Sequence, residues 1–289
     1  MIKKIFLFSM IVFLFYSASA QDSCDYNPYQ HLRDYYIETY QELIDDYKNN
    51  STCNPDIINQ LIQDYYLDTS EIDKKRILEQ ISRFYCPDLI PSFLENIIQN
   101  DTTGYGMLSS IERLAYYNQE QSIPILLEYS SKSKNEDNKI AVAKSFCIMQ
   151  KYNLAIELLN QFCFDENGNV KGSCIKAYEH AGEVEVVKKY YESFISTLDT
   201  MQEDKKITIA YKLVQYGVYV PSRQIFIDAV NNCKNHMKIQ TALYGLASIG
   251  DEDAFNVIKE QTHNKNLVVA NAARFILNFI EKERKAKCK

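Results

Sequence analysis

The chain has 289 residues, 46% hydrophobic and 24% charged, and glycine and proline together fill only 14 positions (8 Gly and 6 Pro). That is about 5% against roughly 12% in average usage, which excludes collagen-like, flexible-linker and disordered readings and favours an ordered, mostly helical protein. The formal net charge is −6, so a nucleic-acid partner, which would draw on clustered Lys and Arg, is not expected.

At the N-terminus, Lys3 and Lys4 precede an apolar run over residues 5–16, which ends in Ala18-Ser19-Ala20. Basic, apolar and small-residue segments in that order predict a secretory signal peptide over residues 1–20, cleaved after Ala20. A membrane anchor needs about 20 apolar residues, more than this run supplies. A lipoprotein would carry its lipid on Cys24, but Gln21-Asp22-Ser23 lacks the apolar and small residues of such a site. Removal of the segment leaves 30 basic against 38 acidic residues, a net charge near −8. The mature chain is therefore expected outside the cytoplasm, periplasmic or extracellular, with no transmembrane segment.

Residues 21–69 predict N-terminal capping helices, over 35–47 and 56–67, and a degenerate first repeat. Its turn near Cys53 mirrors a second one, since Cys53-Asn54-Pro55-Asp56 echoes Cys86-Pro87-Asp88. From residue 70 to 289 the pattern recurs with turns near Cys86, Asn118, Lys151, Gly182, Gly217 and Gly250, 31 to 35 residues apart. Eight residues before each turn stand Leu78, Ser110, Ala143, Cys174, Ile209 and Ala242; eight after stand Leu94, Leu126, Leu159, Tyr190, Ile225 and Ile258. The clearest unit, residues 239–258, reads as helix, tight turn, helix: Ala242, Leu243, Leu246 and Ile249 keep a 3.6-residue period before Gly250-Asp251, and Ala254, Val257 and Ile258 resume it. Residues 267–283 predict a last helix whose polar outer face closes the array.

Taken together, the Ala/Leu first helix, the Gly250-Asp251 turn, the second-helix pattern and Pro91, Pro124 and Pro221 near second-helix starts resemble the HEAT and HEAT-like repeat family. The resemblance covers about residues 70–283. It implies an all-α fold, a right-handed α-α superhelical solenoid of about six to seven HEAT-like helix pairs stacked into one domain, because a helix pair cannot bury its apolar face alone. Lys151 and Asn118 depart from the turn glycine. Tetratricopeptide repeats have a similar period, but their Trp and Gly-Tyr signature is missing from a chain with no Trp.

No constellation in the sequence carries chemistry. Ser173 and Lys176 fit a Ser-x-x-Lys spacing, yet neither Ser-Asp-Asn nor Lys-Thr-Gly accompanies it, and Ser173 after Gly172 reads as a helix cap. The segment Asp165-Glu166-Asn167-Gly168-Asn169 offers alternating oxygens, but Val170 and Lys176 occupy the glycine and glutamate places of an EF-hand. His31, His180, His236 and His263 lack zinc-ligand spacing. Neither a metal nor a cofactor is expected, and no catalytic residue is assigned. Eight cysteines in an exported chain point to disulfides, with Cys163 and Cys174, which flank one inter-repeat loop, as the first pair expected. The 22 tyrosines, including the doublets 35–36, 65–66, 116–117 and 190–191, are read mainly as core and rim packing.

The expected function is an exported, non-catalytic scaffold or adaptor that binds a protein or peptide through the concave face. In the family's stacking, second helices line the inner curve. Positions offset from the +8 residues then place Glu128, Glu192 and Asp228 in the groove, with Tyr129, Tyr191 and Phe226 as aromatic neighbours, giving an acidic surface. Two alternatives stay open: a HEAT-like lyase or assembly factor for a bound prosthetic group, and a structural component of an envelope complex anchored through terminal helices.

Overall fold

The computed structural model describes residues 30–100, 107–117 and 120–287, with the side chains of 30–37, 50, 71 and 281–287 set apart from that description. The expected signal segment 1–20, Cys24, His31, the Tyr35-Tyr36 rings, the turn residue Asn118 and the side chains of the basic tail lie outside it. Among the described residues there are fifteen α-helices and two 3-10 segments, and the extended pairing seen is an isolated bridge between Phe164 and Val170. The fold is all-α.

Contacts cluster in two compact units, Gln30–Glu183 and Val184–Lys289, where the sequence predicts one continuous domain. The boundary falls inside the pair that turns at Gly182. That pair is atypical, because a bridged loop shortens its first helix to seven residues.

The first unit holds α1 (Gln30–Asn50), α2 (Pro55–Leu67), α3 (Glu71–Ile81), α4 (Ile90–Asn100), α5 (Met107–Ala115), α6 (Ser122–Lys132), α7 (Glu136–Ile148), α8 (Tyr152–Asn160) and α9 (Ile175–Ala181). The second holds α10 (Val184–Glu192), α11 (Glu203–Gln215), α12 (Val220–Asn232), α13 (His236–Ile249), α14 (Glu252–Gln261) and α15 (Leu267–Lys287). Within each unit helices pack on the next in sequence and on the next but one: α5 lies on both α4 and α7, and α13 on α12, α11 and α15.

Local chemistry sets the helix ends. Asn54, Ser70, Asn135, Asn235 and Asp251 each accept a backbone N–H of the first turn that follows, which satisfies one orphan donor per helix. Gly182 and Gly250 close their helices in the left-handed conformation, at φ 77° and 72°, where a Cβ would be strained. At the Lys151 turn the same geometry is kept without glycine: Gln150 takes φ 58°, at about 1–2 kcal/mol for an L residue. Tertiary packing of α7 on α8 overrides the local preference there.

All six residues eight positions before a turn are buried. Among those eight positions after, Leu94, Leu126, Leu159, Ile225 and Ile258 are buried, whereas Tyr190 is half-exposed and Val187 fills the core position of α10. The core of the second unit gathers Leu213, Phe226, Ala242, Leu246, Ile258, Ala273 and Ile276.

Helix α1 packs on α9, with Tyr40 hydrogen-bonded to His180 and the Tyr47 hydroxyl donating to the Phe84 carbonyl. At the other end, α15 presents Leu267, Val268 and Phe275 to solvent, with Leu267 71% exposed. The same outer face also exposes Asn271, Arg274 and Asn278, so it is mixed rather than wholly polar, while the opposite stripe, including Val269, Ala273 and Ile276, is buried against α13 and α14.

Cys163 and Cys174 form a disulfide with Cα atoms 5.8 Å apart, closing the bridged loop before α9. A second disulfide, Cys53–Cys86, has a Cα separation of 4.9 Å and spans 33 residues, one repeat, so it ties consecutive turns together. Cys147 is buried on α7. Replacing both Cys53 and Cys86 with Ser should lower the stability of the first unit by about 2–4 kcal/mol, because the cross-link limits the unfolded chain. Urea melts of the double variant against the parent measure this, and non-reducing peptide mapping of the parent should return both pairs.

Candidate interaction surface

The second helices α4 and α6 lie side by side, joined where the buried Ser122 hydroxyl donates to Glu95 at 2.7 Å. A parallel link runs from the Tyr66 hydroxyl on α2 to Asn96 on α4 at 3.2 Å. Helices α4 and α6 frame a cavity of about 290 Å³ lined by Ile98, Gln99, Asn100, Ile125, Glu128, Tyr129 and Lys132. Two of the residues assigned from sequence to the groove, Glu128 and Tyr129, therefore share one wall.

Their electrostatics differ from the expected acidic groove. Glu128 is exposed and ion-paired with Lys132 at 2.5 Å; the hydrogen bond from that lysine holds its carboxyl below the usual carboxylate range. The Tyr129 hydroxyl accepts a hydrogen bond from Asn138 at 2.5 Å. The wall is of mixed charge. Gln99, Asn100 and Lys132 were missed, although the Glu128–Lys132 spacing of four on a helix already signals a pair.

In the second unit, Asp228 is exposed on α12 and accepts from Gln224, one turn earlier, at 2.9 Å. Glu192 is half-exposed on α10. Tyr191 turns toward α11, stacked on Tyr216 with centroids 5.9 Å apart and Lys212 over its ring. Phe226 is a correction: it is fully buried and lines no groove. Its ring fills the space left by Gly245 on α13.

The tyrosines do more than the sequence suggested. Tyr85 and Tyr117, which precede successive turns, stack with centroids 5.1 Å apart and 6° between planes, and the Arg113 guanidinium lies over both Tyr47 and Tyr116, at 4.6 and 5.1 Å. Burial pushes the Tyr117 hydroxyl far above the ordinary tyrosine range, and lifts Tyr211 to about 12. Recurrence of tyrosine one residue before the Cys86, Asn118 and Gly217 turns was the signal available for this cluster.

The remaining sequence candidates stay apart. Ser173 and Lys176 are both exposed. Asp165 accepts from Asn167 and Asn169 of its own loop, and His236 contacts Asn266. Among the described residues no group of three or more His, Cys, Asp or Glu is placed to hold a metal ion, and no helix is long and apolar enough to cross a membrane.

No protein-family model matches the chain. No curated protein matches it either. Among solved structures, a chain from work on the computational design of self-assembling cyclic protein homooligomers is similar over 88% of this chain and 96% of its own, at 15% identity and a TM-score of 0.16. A likeness of that degree bears on neither fold nor function.

Proposed function

We propose that the chain is an exported, non-catalytic adaptor, a right-handed HEAT-like solenoid that binds a protein or peptide segment along its second helices. The observation that carries this reading is the α4–α6 wall, where Glu128, Tyr129 and Lys132 edge a cavity beside Gln99 and Asn100. Paired charges beside an aromatic hydroxyl and side-chain amides suit a mixed-charge peptide, whose backbone needs both donors and acceptors. Two disulfides support the export reading, since such bonds persist in oxidising compartments. An envelope-complex role has one supporting observation, the exposed Leu267, Val268 and Phe275 on the terminal helix.

Charge reversal at Glu128, Glu192 and Asp228 together tests the adaptor reading. The triple Lys variant should retain at most a tenth of a stoichiometric protein partner crosslinked in native envelope extract. Its melting temperature should stay near that of the parent, because exposed charges and exposed ion pairs such as Glu128–Lys132 contribute little to stability. Undiminished capture rejects the second-helix face.

A further inference from the structure

A stack of helix pairs stays soluble when the outer faces of its terminal helices are polar, since no further pair covers them. Helices α2 and α15 both depart from that rule. On α2, Ile57, Tyr66 and Leu67 are exposed, Leu67 at 80%. The Tyr66 hydroxyl is engaged by Asn96 of α4, which leaves Ile57 and Leu67 uncovered near the two ends of the helix, with exposed Gln60 and Gln63 between them. On α15, Leu267, Val268 and Phe275 are exposed. Asn271, Arg274 and Asn278 continue their stripe at spacings of three and four, one face of a helix.

Charge distinguishes the two faces. Helix α2 with its cap residue holds three acids, Asp56, Asp64 and Asp68, and neither Lys nor Arg. None of the three acids is in an ion pair among the described residues. Helix α15 holds five bases, Arg274, Lys282, Arg284, Lys285 and Lys287, against two acids, Glu281 and Glu283. One helix therefore carries a net −3 and the other a net +3. Packing α15 on the α15 of another copy, or α2 on another α2, would bring like charges together. Packing α2 on α15 brings opposite charges together and covers apolar side chains on both, so charge selects the unlike pairing.

From this complementarity we propose that the chain binds a second copy of itself head to tail, the outer face of α2 in one copy docking on α15 of the next. Ile57 meets Leu267 and Val268, Leu67 meets Phe275, and the basic end of α15 reaches Asp64 and Asp68, which sets the two helices parallel. Because the contact joins unlike surfaces, each bound copy keeps one face of each kind for a further copy. One helix pair falls short of the roughly 800 Å² per partner of a standard interface, so a weak association is expected. The α4–α6 wall takes no part, and the purified chain tests the proposal without any other protein.

Sedimentation velocity over about 2 to 300 µM, around the micromolar range of weak complexes, reads the outcome. The mean mass of the parent should climb past that of a dimer with concentration and fall back when salt is raised to about 0.5 M. Ile57→Gln with Leu67→Gln blocks α2, and Leu267→Gln with Val268→Gln blocks α15. All four side chains are exposed, so both variants should melt near the parent. Each alone should associate at least tenfold more weakly than the parent. Mixed in equal amounts they should form a heterodimer and stop there, since the intact α15 of the first meets the intact α2 of the second and the remaining faces are both blocked. The proposal is overturned by a parent that stays monomeric throughout, by a mixture that does not dimerise, or by association indifferent to salt. It is overturned equally by a variant that associates as the parent does: survival in the α2-blocked variant would mean that α15 pairs with itself. Binding of α15 to anionic vesicles by a chain that does not self-associate would also reject it.

Discussion

Leu246→Asp should destabilise the Val184–Lys289 unit by about 3–5 kcal/mol, the range seen when a buried charge is left without its partner. Leu246 is fully buried on α13, in a core that joins α11, α12, α13 and α15. A carboxylate at that point would sit among buried aliphatic side chains, and protonation to neutralise it still leaves an acid among them. Given total stabilities of about 5–15 kcal/mol for typical domains, the variant should lose a large fraction of its stability. Circular dichroism melts and urea titrations measure the loss. A melt that overlays the parent's would mean that α13 does not pack as described.

The next largest effect is expected at Phe226. Truncation to Ala removes a fully buried ring from the α12–α13 contact and should cost about 3–5 kcal/mol, transfer and cavity terms together. The partner position makes the test sharper. A Cβ on Gly245 would lie inside van der Waals contact of the Phe226 ring edge, and that ring is enclosed and has nowhere to swing. Gly245→Ala should therefore destabilise by up to about 2 kcal/mol, because an overpacking penalty of about 1–3 kcal/mol exceeds the gain of about 1 kcal/mol that alanine brings to a helix interior. In a Phe226→Leu background the same Gly245→Ala change should become neutral or stabilising. That reversal of sign, read from chemical denaturation of the four proteins, is the signature of direct contact; strictly additive effects would refute it.

Phe226 also shows where sequence reading stops. The spacing of the turns and the residue eight positions before each one predict burial at all six places, since each inference uses only the helical period within a single element. One residue along, the direction changes by about 100°, and Phe226 is assigned to the groove only as an aromatic neighbour of Asp228. What draws its ring inward is the missing side chain of Gly245, nineteen residues later on another helix, which no pattern inside α12 records. The same holds for Gln150, whose left-handed backbone is imposed by packing of α7 on α8, and for α1, whose place depends on hydroxyl contacts to residues 37 and 140 positions away. By contrast, Cys163 and Cys174 flank one short loop, and proximity in sequence alone suggested their proximity in space.

Helix α1 has a thermodynamic consequence. A row of helix pairs that touch only their neighbours behaves as a zipper: an end can fray at the cost of a single interface. In the Gln30–Glu183 unit the Tyr47 hydroxyl is fastened at Phe84, while Tyr40, two turns earlier, is fastened at His180 of α9. Loss of α9 from that end releases α1 as well, and release of α1 uncovers the stacked Tyr85 and Tyr117 rings near the other. Opening at either end of this unit is therefore expected to disturb contacts at both.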